Sequence, residues 1–181
     1  MTGPPGVGKT TMGRALARAL QAALLDLDVM TNPLVDVIAE QVGVPGDYAD
    51  PDLARVVRGP RYACLVDTAV DCLEARVPVV LVAPFTKERT DEAAWAKLAG
   101  ALGNAGGQAH MVWLRADGDL VRARMTERGA LRDRVMLDSI AHGQSDIATA
   151  MPVVPHVEVD AATGVAEQVA AVLAALEQEQ L

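Results

Sequence analysis

"MTGPPGVGKTT", residues 1–11, is the stretch on which the reading of the whole chain turns. Gly3, Gly8, Lys9 and Thr10 satisfy G-x-x-x-x-G-K-[ST], in which glycines let the backbone curl until successive N–H groups point at one anion. Pro4, Pro5, Gly6 and Val7 fill the loop, and Thr11 carries it into a helix. That helix, opening near Lys9, adds the positive end of its dipole. Lys9 is placed to reach the β- and γ-phosphates of a nucleotide, and the Thr10 hydroxyl to ligate Mg²⁺. A chain of this composition matches the pattern by chance about once in a thousand, and lysine is scarce, occurring only at Lys9, Lys87 and Lys97. The pattern also calls for a buried strand entering the loop, and Met1-Thr2 is too short to be one. Either the true start lies upstream, which is the preferred expectation, or the sheet is depleted at a cost in burial and backbone pairing.

Downstream, short apolar runs alternate with helical periodicity. Residues 10–23 place Met12, Leu16, Leu20 and Ala23 on one helical face. "ALLDLDV" (23–29) reads as a buried strand ending in acids, and "TNPLVDVIAEQVG" (31–43) as a helix capped by Thr31 or Asn32 with Pro33 in its first turn. Helical patterning resumes over 52–76, with an interruption expected at Gly59-Pro60. "VPVVLVAPF" (77–85) is a β-branched run typical of a central parallel strand. A helix over 90–102, a strand at 110–115, helices over 119–128 and 133–142, a strand at 156–160 and a closing helix over 165–176 follow. Strands alternating with helices imply one α/β domain, a three-layer α/β/α sandwich around a parallel sheet. Ligands bind such sheets beyond the carboxyl ends of the strands.

Composition narrows the function further. The 181 residues carry a formal net charge of −8, against the basic face that nucleic-acid binding needs. No apolar run approaches the ~18 residues of a membrane span, and no signal peptide is visible, so a cytoplasmic protein is expected. Cys64 and Cys72, on one helix, stand about 12 Å apart at 1.5 Å per residue, too far to bridge. Two buried thiols in a reducing compartment are the expectation. His110, His142 and His156 share no metal-ligand spacing.

"GPPGVGKTT" followed by "LLDLDVM", "VVLVAPFTKE" and "RMTERGALRD" resembles the small P-loop kinases: shikimate kinase, gluconate kinase, adenylate kinase and chloramphenicol phosphotransferase. The resemblance covers nearly the whole chain in order of elements, with only the first motif sharply specific. It implies a parallel sheet in the order 2-3-1-4-5, with the first strand missing or truncated here. It also implies a helical substrate-binding insert at residues 30–76 and a lid at residues 122–144. The activity implied is ATP- and Mg²⁺-dependent transfer of the γ-phosphate to a hydroxyl of a small metabolite or antibiotic.

Carried over residue by residue, the resemblance assigns roles that the residue types support. Asp28 would orient the acceptor hydroxyl or take its proton, and Asp26 would help hold the magnesium water shell; capping the next loop is the plainer role for either. In the insert, Arg58 and Arg61 flank the expected break, with guanidinium forks suited to an acidic substrate group or, equally, to solvent. Lys87 follows the central strand and would bind an anionic group; a surface lysine is the plainer reading. Arg122, Arg124, Arg128, Arg132 and Arg134 place five of 13 arginines within 13 residues. Arg124 and Arg128 share a helical face. Arg124 would cover the adenine, Arg128 would neutralise transferred charge as a catalytic group alongside Lys9 and Asp28, and Arg132 would close from the lid. Gly3 to Thr11 complete the nucleotide contacts.

Two rival classes stay open. One is an ATP-hydrolysing switch with a protein partner, against which stands the run into Ala83-Pro84-Phe85 without the acid of a motor ATPase. The other is a nucleotide-binding module without turnover.

Overall fold

Ala23–Asp26 (β1) pairs in parallel with Val79–Val82 (β2), and Met111–Arg115 (β3) with His156–Asp160 (β4). The computed structural model describes residues 1–48, 50–128 and 150–178. Between β2 and β3 runs the dipeptide Met1-Thr2. Met1 N donates to Leu81 O at 2.7 Å and Met1 O accepts from Ala83 N at 3.4 Å. Thr2 N donates to Val112 O at 2.8 Å, and Leu114 N donates to Thr2 O at 3.0 Å. The lateral order is therefore β1, β2, Met1-Thr2, β3, β4, which is 2-3-1-4-5 in chain order, with a single bridge (Thr2 to Trp113) where the first strand was expected.

Helices cover both faces. Lys9–Leu20 (α1) and Val165–Gln178 (α7) bury Met12, Leu16 and Val172 against Val80, Val112, Leu114 and Val159. On the other side Pro51–Glu74 (α3) and Glu92–Asn104 (α5) set Leu65, Ala69 and Leu102 against Leu25 and Phe85. Leu27–Gln41 (α2) packs on α3 through Val35, Ala39, Leu53 and Val57. Thr86–Thr90 (α4) and Gly118–Arg128 (α6) follow β2 and β3. With aromatics at 3%, the core is aliphatic, as the composition requires. Among the described residues no helix is long and apolar enough to cross a membrane.

Three local expectations need correction. β1 stops at Asp26, whose carboxylate accepts from Asp28 N at 3.0 Å and Val29 N at 3.3 Å, so Asp26 and neither Thr31 nor Asn32 caps α2. Asp28 thus stands in the first turn of a helix, no longer on a strand beside Asp26, and Pro33 lies inside the helix. α3 runs unbroken through Gly59 and Pro60. Pro60 removes one helical donor, but it sits on an exposed face where water serves the freed carbonyl. Cys64, also on α3, is exposed, whereas Cys72 is half-buried; both are free.

Candidate nucleotide and acceptor site

The loop from Gly3 to Gly8 takes its shape from backbone conformations that side chains oppose. Gly3, Gly6 and Gly8 have φ of 146°, 75° and 104°, and Gly8 caps α1 in the left-handed region. A Cβ on Gly3 would lie 2.6 Å from Leu114 O, so the loop can leave the sheet here only through glycine. Lys9 turns back over the loop, its Nζ donating to Gly3 O at 2.9 Å and Pro4 O at 2.8 Å. The ammonium is therefore held inside the curl where an anion would sit.

Asp26 joins this loop to α2. Its carboxylate accepts from Thr10 Oγ1 at 2.7 Å while capping the helix that carries Asp28. The sequence placed Thr10 and Asp26 at a metal, and the structure brings them together. A hydroxyl and a carboxylate are hard oxygen donors that suit Mg²⁺, which keeps most of its shell as water and phosphate oxygens. These two residues therefore fit the ion.

The second cluster lies between α2 and α3. Arg61 Nε donates to Thr31 Oγ1 at 2.7 Å, and its terminal nitrogen donates to Asp28 Oδ1 at 2.7 Å and Asn32 Oδ1 at 2.8 Å. One turn away, Arg58 lies over the Tyr62 ring, 5.8 Å from its centroid. The Tyr62 hydroxyl accepts from Phe85 N at 3.0 Å, and burial, with the nearby Glu88 second, pushes its pKa up to about 12. Of the four residues expected to hold substrate, Asp28 and Arg61 meet directly, Arg58 is their neighbour, and Lys87 is exposed on α4 outside the hydrogen-bonded group. Residues 31, 32 and 88 were missed. Thr31 and Asn32 were read as helix-capping residues, and nothing in the sequence distinguishes Glu88, one of whose carboxylate oxygens is buried without a hydrogen bond among the described residues.

Arg124 reaches across from α6. It donates to Val7 O at 2.8 Å and to Ala161 O at 2.9 Å, tying the phosphate loop to the turn after β4. Charged hydrogen bonds of this kind contribute about 1.5–3 kcal/mol each, less where solvent reaches them. Arg124→Ala is expected to lower unfolding free energy by about 1–3 kcal/mol, read from urea denaturation; an unchanged midpoint would mean that the clip is incidental. The Arg128 side chain, Arg132 and the rest of the expected lid beyond Arg128 lie outside the described residues.

Arg89 is a further residue that sequence reasoning passed over. It is buried, donates to Ala150 O at 2.7 Å, and accepts from Val153 N at 2.8 Å through its own carbonyl. It binds α4 to the segment leading into β4, and burial lowers its pKa.

Solved structures share this architecture. A gluconokinase from Sinorhizobium meliloti 1021 is 24% identical, with a TM-score of 0.61 over 98% of this chain and 89% of that one. A candidate kinase from Chloroflexus aurantiacus j-10-fl is 22% identical, with a TM-score of 0.68 over 98% and 93%. Shikimate kinase from Aquifex aeolicus vf5 is 16% identical, with a TM-score of 0.55 over 99% and 96%. No curated protein matches the sequence. Residues 1–146 match the family described as AAA domain, and the chain belongs to that family, with the fold of the small P-loop kinases.

Proposed function

We propose that this protein is an ATP- and Mg²⁺-dependent kinase that moves the γ-phosphoryl group to a hydroxyl of a small molecule. The observation that carries the reading is the link made by Asp26, which joins the phosphate loop through Thr10 to the helix bearing Asp28 and its partner Arg61. One carboxylate thus connects a triphosphate cradle to an acid–base pair suited to a hydroxylated acceptor.

The residues divide the work as follows. Loop amides from Gly3 to Thr11 and the opening of α1 bind the phosphates, and Lys9 swings from the Gly3 and Pro4 carbonyls to the β- and γ-oxygens. Thr10 and Asp26 would hold Mg²⁺, whose charge would neutralise those oxygens. Arg61 fixes the orientation of Asp28, which receives the acceptor hydroxyl; Arg58 stands by for an acidic group on the acceptor, with Lys87 at the rim. The acceptor oxygen forms a bond to the γ-phosphorus, the bond from that phosphorus to the β–γ bridging oxygen breaks, and the hydroxyl proton passes to Asp28 as ADP departs. Arg124 borders the adenine, and Arg128 and Arg132 neutralise charge and close the site. Residues 30–76 form the acceptor-binding insert and 122–144 the lid, and the enzyme works in the cytoplasm.

The family name is shared with motor ATPases, yet β2 runs into Ala83, Pro84 and Phe85 and provides no acid at its carboxyl end to activate water. ADP formation measured with and without a panel of hydroxylated small molecules tests the proposal. ADP release that depends on an acceptor is the expected result. Hydrolysis at the same rate without any acceptor would replace the kinase by a nucleotide switch, and binding without turnover would leave only a module.

A further inference from the structure

The corner between β2 and α4 is held from two sides. Thr2 Oγ1 donates to Pro84 O at 2.6 Å, which ties the corner to the entrance of the phosphate loop. The Tyr62 hydroxyl accepts from Phe85 N at 3.0 Å, which ties it to α3 one residue beyond Arg61. The corner therefore stands between the two halves of the site, and α4 carries Glu88 next to it.

Glu88 is the third residue of α4, whose capping residue is Phe85. A glutamate at that place commonly reaches back to the N–H of the capping residue and closes the helix end. Here the Tyr62 hydroxyl has taken that N–H, so Glu88 is left without the role. No cation claims it either. Arg61 is spent on Thr31, Asp28 and Asn32, Arg58 lies over the Tyr62 ring, and Arg89 turns to Ala150. Among the described residues Glu88 forms no ion pair, and its Oε2 is enclosed without a hydrogen bond. The residue as a whole is half-buried, so it is not sealed in the core. After burial, its charge is the second cause of the raised Tyr62 pKa, and the charges of Arg58 and Arg61 act on the same hydroxyl. Glu88 thus lies beside the cluster that holds Asp28. Enclosing a carboxylate oxygen without a donor is costly, and such a cost is kept where function uses the group.

We propose that Glu88 is a specificity-determining residue of the acceptor site, accepting a hydrogen bond from a second donor group of the acceptor, a hydroxyl or an amine, beside the hydroxyl that is phosphorylated. On the kinase reading given above, on which this rests, the acceptor is then a polyol or an amino alcohol and not a molecule with one isolated hydroxyl. Asp28 and Glu88 divide it between them. Asp28, on α2, receives the reacting hydroxyl, while Glu88, on α4, holds the neighbouring donor and so fixes which hydroxyl is presented. An acceptor without that donor leaves the carboxylate unmet, and sites built around such a bond discriminate strongly against the analogue that lacks it.

Two measurements test this. The first needs no acceptor. Replacing Glu88 removes an unmet buried oxygen, so Glu88→Leu is expected to raise Tm by about 2–4 °C, and Glu88→Gln is expected not to lower it. A fall in Tm for both variants would make Glu88 a strut of α4 and overturn the proposal. The second runs sugars, sugar alcohols and amino sugars through the ADP assay, each beside its monodeoxy analogues. With the unaltered protein, loss of one hydroxyl or amino group other than the phosphorylated one is expected to lower kcat/KM at least about 10²-fold. In Glu88→Leu that ratio is expected to shrink to within about threefold, because the donor has lost its partner. A ratio that Glu88→Leu leaves intact would overturn the role of Glu88 while the kinase reading stands. No acceptor-dependent ADP release from the unaltered protein would sink both together.

Discussion

Lys9→Ala is expected to lower kcat/KM for phosphoryl transfer by about 10³-fold, with most of the loss in kcat. The side chain is a positive point charge held inside the loop by two carbonyls, Gly3 O and Pro4 O. Phosphoryl transfer spreads negative charge over the γ- and bridging oxygens as the bond to ADP breaks, so a charge at that place acts more strongly on the transition state than on bound ATP. The fold is expected to survive, because the loop is shaped by the left-handed glycines and by the Thr2 pairing. Coupled ADP detection with an active acceptor, together with calorimetric ATP titration, decides the matter. Activity within tenfold of the unaltered protein would remove Lys9 from the chemistry.

Asp28→Asn is expected to reduce kcat by about 10²–10⁴-fold while ATP affinity changes less than about threefold. The substitution is nearly isosteric, and the amide oxygen still accepts from Arg61, so the α2–α3 geometry is kept. What disappears is the capacity to receive a proton and the negative charge that faces Arg61. Asp28 is half exposed, its side chain 53% accessible, so little of the fold depends on it. The contrast with Asp26 is informative, since that buried carboxylate holds Thr10 and caps α2, and its replacement would disturb loop and helix together. A kcat for Asp28→Asn near that of the unaltered protein would make the Asp28–Arg61 pair a structural strut.

The candidate site was legible in proportion to how local its geometry is. The phosphate loop was readable because its function is performed by consecutive backbone amides, and glycine at positions 3 and 8 announces the conformation directly. Asp26 and Thr10 are sixteen positions apart; each was assigned to the metal separately, Thr10 from the loop motif and Asp26 from the resemblance, and only the structure shows that they touch. Asp28 was found for a reason that the structure corrects: it was assigned to a strand, whereas the Asp26 cap starts the helix two residues earlier. Arg61 was singled out by a helix break that does not occur, yet it reaches Asp28 because α2 and α3 pack through Val35, Ala39, Leu53 and Val57. Glu88 and Arg89 gave no sequence signal, since a charge in a short helix after a strand looks the same whether it faces water or the interior.

Alternation of short apolar runs with helical periodicity determined by itself that this chain forms a parallel α/β sandwich, and the glycine–lysine loop determined where phosphate would bind. Both are properties of residues near one another in the chain, where backbone sterics and side-chain period leave few choices. The tertiary structure alone decided that Met1-Thr2 pairs with both β2 and β3, and that Arg61 closes on Asp28 while Arg124 clips the loop to Ala161. Those contacts span from 33 to more than 100 positions, and at such separations only the packing of whole helices and strands determines which side chains meet.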